Sequence, residues 1–66
     1  MGKECIKQMD WKEIIQNIGN PVYDKNHKRW RILEGYKRVE QEFCISFTDT
    51  NYWVRFQDYK LYLKEV

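Results

Sequence analysis

Few residues of this chain have the type and spacing that chemistry requires. His27 is the sole histidine, and Cys5 and Cys44 are the only cysteines. Metal binding needs ligands clustered at short spacing. One histidine and two distant cysteines offer no such cluster, so no metal is expected. Cys44 and His27 would make a thiol–imidazole pair only if the fold joined them, and no orienting third group or oxyanion loop is legible. His27 therefore reads as a solvated loop residue. Asp49 and Asp58 read as turn residues rather than as an acid–base pair. Three isolated glycines make no phosphate-binding loop. Neither an enzyme nor a cofactor is expected.

One feature rises above this background, and it is basic and aromatic. Trp53 and Arg55 alternate with Tyr52, Val54 and Phe56, which sends the Trp–Arg pair to the opposite face from the apolar set. Trp beside Arg is the chemistry of interface anchors and of base stacking. Arg29 and Arg31 join the same outer face if the preceding strand bends appropriately, and Lys60 completes the set. Arg29, Arg31, Trp53, Arg55 and Lys60 are thus the candidate binding residues. Two partner classes fit them: another protein, met by the aromatic face or by an open sheet edge, or nucleic acid. Twelve basic residues against ten acidic ones, interspersed to a net charge of +2, are no electrostatic footprint for nucleic acid. A protein partner is the preferred expectation. A third reading competes on equal terms, in which a helix covers this face and buries Trp53 as a second small core.

These side chains must be positioned by strands. Phe43, Ile45 and Phe47 alternate with Cys44, Ser46 and Thr48, the period of a strand with one buried face and with Cys44 turned outward. With Asp49-Thr50 as a two-residue turn, Phe47 faces Tyr52, Ile45 faces Val54 and Phe43 faces Phe56. A slip of one residue would set Ile45 against Arg55, which a buried face would not tolerate. Residues 29–38 carry apolar groups on both faces, and Gly35 interrupts them. Glycine inside a strand either marks a bulge, where the chain changes face and bends, or only loosens a strand end; the bulge is the preferred expectation. Residues 39–41 form the loop after it.

Upstream, residues 10–18 read as a short helix. Asp10 with Glu13 is close to a capping box, and Met9 and Ile14 stand where a hydrophobic staple would put them. Trp11, Ile14, Ile15 and Ile18 form one apolar stripe at helical spacing. Gly19 and Pro21 stop it. Two turns cannot stand alone, so the helix must pack on the sheet. Pro21, Val22 and Tyr23 open an edge strand, a polar loop over 24–28 follows, residues 57–59 form a short turn or a single 3₁₀ turn, and residues 60–63 form a last strand. The expected core is Trp11, Ile14, Ile18, Val22, Trp30, Ile32, Phe43, Ile45, Phe47, Val54, Phe56 and Leu61.

Sixty-six residues make one domain, with a flexible tail over 1–8, the helix over 10–18 and the β unit over 21–63. A chain this short buries only about 60% of its unfolded surface, so it depends on large side chains. Three Trp, five Tyr and three Phe supply them. Two cysteines are too few for a disulfide-stapled secreted domain and read as free thiols. No stretch has the length of a membrane span, and residues 1–9 lack the apolar run of a secretion signal. The expected compartment is the cytoplasm, with no membrane partner.

The order of elements, and above all residues 53–63, WVRFQDYKLYL, resembles an SH3-like barrel with a helix added at the N-terminus. Such barrels commonly place a 3₁₀ turn before their last strand. The resemblance implies a mainly β fold with one helix (α+β), either a small SH3-like barrel or a strongly bent five-stranded antiparallel sheet. An open meander with the helix across one face is the alternative. The chain lacks the ALYDY-like run, the Trp pair and the Pro-Tyr pair of peptide-binding SH3 domains, so polyproline binding is not implied. It is also similar in style to small proteins of Gram-positive bacteria and their mobile elements, a likeness that assigns no residues.

Overall fold

The computed structural model describes residues 7–65. Helix α1 (Trp11–Gln16) is followed by β1 (Pro21–Asp24), β2 (Arg29–Val39), β3 (Glu42–Phe47), β4 (Val54–Arg55), a 3₁₀ turn (Phe56–Asp58) and β5 (Leu61–Tyr62). The five strands form one antiparallel sheet in the order β4-β3-β2-β1-β5. Its edges, β4 and β5, do not pair with each other. The sheet is therefore open, and of the expected architectures the barrel is the one that does not form.

Helix α1 begins where its caps dictate. The Glu13 N–H donates to Asp10 Oδ1 at 2.9 Å, and the Asp10 N–H donates to Glu13 Oε1 at 3.0 Å, closing a capping box. Met9 and Ile14 are both buried in the central cluster, as the staple expects. The helix is shorter than residues 10–18, because Asn17 already caps its C-terminus. Gly19 then takes φ +90°, a conformation that side chains with a Cβ rarely adopt. Its N–H donates to the Leu33 carbonyl at 2.8 Å, tying the helix exit to β2. Of the expected tail, residues 1–6 lie outside the described residues. The Met9 N–H donates to the Leu61 carbonyl at 2.9 Å and so anchors the end of that segment beside β5.

The bulge at Gly35 decides which residues are inside. The β2–β3 register shifts between Leu33 and Gly35. Ahead of the shift, Arg31 and Leu33 face the core, with Arg31 opposite Val22 and Leu33 opposite Phe47. Beyond it, Tyr36 lies opposite Ile45 and Arg38 opposite Phe43, so the inward parity changes from odd to even. Leu33 thus takes the core place expected for Trp30 and Ile32, both of which are exposed on the other face. Trp30 instead packs edge-on against its cross-strand partner Tyr23, ring centroids 5.5 Å apart.

The fully enclosed core is Ile14, Val22, Leu33, Ile45, Phe47 and Leu61, with Ile18, Phe43, Val54 and Phe56 packed half-buried around it. Trp11, also expected inside, is 51% exposed, because it starts the helix and only Ile14 of its stripe reaches the center. The β3–β4 register is the expected one, with Ile45 opposite Val54 and Cys44 opposite Arg55. The two-residue turn is not. Strand β3 ends at Phe47, the Thr48 N–H donates to the Ile32 carbonyl, and the Thr50 N–H donates to the Phe47 carbonyl. Residues 48–53 thereby become a longer connection that leaves Tyr52 exposed.

Candidate functional site

The sheet has two unequal faces. Ile14 of α1 enters the core on the face of Leu33, Ile45 and Phe47. The opposite face of β2, β3 and β4 carries Gly35, Lys37, Cys44, Ser46 and Arg55, which the strand register sets side by side. Trp53 lies across it. A Cβ built on Gly35 would stand 3.6 Å from Trp53 Cη2 and 3.7 Å from Ser46 Oγ, so the ring rests over the bulge. Lys37 Nζ sits 4.6 Å from the Trp53 ring centroid, a cation–π contact. Trp53 remains 43% exposed. Beside it, Trp53, Tyr52, Gly35, Ser46, Thr48 and Glu34 help to line an open groove of about 510 Å³. Its lining combines the aromatic rings of Tyr52 and Trp53 with the hydroxyls of Ser46 and Thr48.

The five candidate residues do not form one patch. Trp53 and Arg55 share the outer face as expected, and Arg55 Nε is 3.1 Å from Glu42 Oε1. Arg29 and Arg31 belong to the other face, because they lie before the bulge that reverses the strand's parity. Lys60 precedes β5, at the sheet edge opposite β4. Its backbone N–H donates to Asn26 Oδ1 at 2.9 Å, which ties the last strand to the β1–β2 turn.

Arg31 is held in an internal ionic cluster instead. Its Nη1 donates to Asp24 Oδ2 at 2.9 Å, and its Nη2 donates to Asp49 Oδ1 at 2.9 Å. Its guanidinium also stacks 4.0 Å from the Phe47 ring centroid. Arg29 Nη2 reaches Asp49 Oδ2 at 3.2 Å from the exposed side. The Asp24 side chain is fully enclosed and its acceptors are filled. Asp24 Oδ1 accepts from the backbone N–H groups of Asn26 and His27, and Oδ2 lies 2.7 Å from His27 Nδ1. An ionised carboxylate only accepts, so Nδ1 is the nitrogen that carries the proton. His27 is therefore oriented by Asp24 and stacked on Tyr59, ring centroids 6.0 Å apart, rather than free in solvent.

The electrostatics follow from the geometry. Burial alone would raise the Asp24 carboxyl, but the hydrogen bonds from Arg31 and His27 outweigh it and leave it below its ordinary value. The hydrogen bond from Arg31 lowers Asp49 as well. Burial would lower Arg31, and its bonds to Asp49 and Asp24 raise it instead. The cluster fixes charges at one end of the sheet and closes the β1–β2 turn. Asp24 and Asp49 are residues that sequence reasoning missed in this role. The available signal was an Asp opening a polar loop with an Arg seven positions on, a spacing that a tight hairpin brings together.

Cys44 is a free thiol, buried on the outer face between its cross-strand neighbors Lys37 and Arg55, although strand alternation predicts it exposed. Cys5 lies outside the described residues. Among the described residues no group of three or more His, Cys, Asp and Glu could hold a metal ion, and no helix is long and apolar enough to cross a membrane. No protein-family model matches the chain, and no curated protein or solved structure matches it.

Proposed function

We propose that this chain is a small non-catalytic interaction module, which binds a protein partner through the outer face of β2, β3 and β4 with Trp53 as the anchor. The observation that carries this reading is the open Trp53 ring, seated over Gly35 on the face that α1 leaves bare. Partly exposed tryptophans seated in rigid surroundings are the common anchors of protein interfaces. The cations favor a protein over nucleic acid. Arg29, Arg31 and Arg55, which would grip phosphates, each face an acid of the chain itself: Asp49, Asp24 with Asp49, and Glu42. A phosphate backbone would have to displace these acids, at a net charge of only +2.

The strand order and the 3₁₀ turn before β5 support a further part of the proposal, that this is an SH3-like architecture left open between its edge strands. A bacterial, cytoplasmic setting belongs to the same proposal; the first part rests on the sequence likeness and the second on two cysteines that read as free thiols.

The test compares the wild type with Trp53→Ala, both checked for folding, as baits for affinity capture. It adds a salt titration against a mixed oligonucleotide pool. Stoichiometric protein capture that Trp53→Ala abolishes supports the module. Steeply salt-dependent oligonucleotide binding, lost with Trp53→Ala and Arg55→Ala, would replace it with the nucleic-acid reading.

A further inference from the structure

On the core side of the sheet, remote from Trp53, a second groove opens between α1 and the β2–β3 hairpin. It encloses about 330 Å³ and is lined by Trp11, Ile15, Tyr36, Arg38 and Phe43. Its placement follows from three periodicities. Trp11 and Ile15 are four apart on one helix and share a side. Tyr36 and Arg38 are two apart on β2 beyond the bulge and share a face. Phe43 is the cross-strand partner of Arg38.

The walls are fixed by ring contacts. Phe43 meets Trp11 edge-on at 6.4 Å, stacks with Tyr36 at 5.7 Å and meets Phe56 edge-on at 5.6 Å. Even so, Trp11 and Tyr36 remain about half exposed, so the groove is preformed and open along one side.

Its charge has one sign. Among the described residues Arg38 is the only charged one that lines it, and no carboxylate of those residues lies within ion-pair distance of it. Lys12 Nζ lies 5.8 Å from the Trp11 ring centroid and adds a second cation at the helix side. The nearby acids Asp10 and Glu13 are bound to each other's backbone N–H groups in the capping box. An apolar groove beside an unpaired guanidinium calls for an apolar group that carries a carboxylate.

We propose that this groove is a second docking site, which takes a polypeptide segment with one large apolar side chain flanked by Asp or Glu. The apolar side chain packs in the groove against Trp11, Ile15 and Phe43, and the carboxylate pairs with Arg38. The groove is open along one side, which lets a peptide continue past Lys12 and gain contacts on both sides. The site is independent of the Trp53 face, and the failure of either leaves the other standing.

The test is an NMR titration of the full chain, isotopically labelled, with three blocked hexapeptides that differ only at the positions flanking a single Phe. The first carries Glu there, the second Gln and the third Lys. The expected result is that the Glu peptide shifts the Trp11 indole and the Tyr36, Arg38 and Phe43 amide signals. It should bind about tenfold more tightly than the Lys peptide, with the Gln peptide between. Arg38→Glu should invert that order, and Arg38→Gln should level it. Arg38 is exposed, so both variants keep the fold. Equal affinities, no shifts at millimolar peptide, or shifts confined to Gly35, Ser46 and Trp53 would overturn the proposal. Concentration-dependent shifts of the groove signals without peptide would assign it to a second copy of the chain, and would overturn it too.

Discussion

The Arg31 guanidinium donates to the Asp24 carboxylate at 2.9 Å, with neither side chain more than 3% exposed. This pair joins β2 to the last residue of β1 beneath the β1–β2 turn, and through Asp49 it reaches the segment after β3. Removing Arg31 leaves the enclosed Asp24 carboxylate with only His27 and two backbone N–H groups, and breaking such a buried pair costs about 3–5 kcal/mol. At about 0.05–0.15 kcal/mol per residue, the whole domain is worth only about 3–10 kcal/mol. Arg31→Met should therefore leave a large unfolded fraction at 37 °C, read by circular dichroism melting. A loss below about 1 kcal/mol would mean that the pair is idle.

The same cluster sets the response to acid. Asp24 and Asp49 are both held below the ordinary value of 3.8, so the folded state binds protons less readily than the unfolded one. Their contribution is complete above that value and is lost as the pH falls through the lower folded values. Melting temperature should fall steeply below about pH 4. Asp49→Asn should flatten that fall while lowering stability at pH 7.

Gly35 gives Trp53 its seat. A methyl group there would meet Trp53 and Ser46 at ordinary contact distance, and Gly35 does not have a positive φ. Gly35→Ala should leave the fold and the partner capture unchanged, within about 0.5 kcal/mol. Gly35→Leu should displace the ring and abolish capture while the core, on the other face, stays folded. Thermal melting and capture from the same preparations separate the two effects.

Glu40 holds φ +61° at the tip of the β2–β3 hairpin, where a Cβ costs about 1–2 kcal/mol. Glu40→Gly should stabilise the chain by up to about 1 kcal/mol, after the larger entropy that glycine loses on folding. A destabilisation in a denaturant titration would contradict that strain.

Much of this architecture is legible in the residues. The alternation of Phe43, Ile45 and Phe47 fixes β3, the refusal of Ile45 to face Arg55 fixes its register with β4, and Gly35 marks the bulge. The outward side of Trp53 follows from the same register. Residues 29–33 are misread because both of their faces carry apolar groups, and hydrophobicity alone prefers Trp30 and Ile32 to Arg31 inside. Only Asp24 and Asp49 make a buried Arg31 tolerable; the seven-residue spacing to Asp24 hints at the first, but no local pattern announces Asp49, eighteen positions on. Arg29 and Arg31 are lost to the outer face because they lie before the bulge, whereas Arg55 stays on it.

The central claim, that Trp53 is an open anchor for a partner, is tested most directly by fluorescence quenching. Trp11→Phe and Trp30→Phe alter the other two tryptophans, both exposed, and leave Trp53 as the sole tryptophan, excited selectively over the five tyrosines. Acrylamide should quench Trp53 efficiently in the free protein, and adding the captured partner should protect it. A Trp53 already shielded in the free protein, or one equally quenched in the complex, would contradict the account.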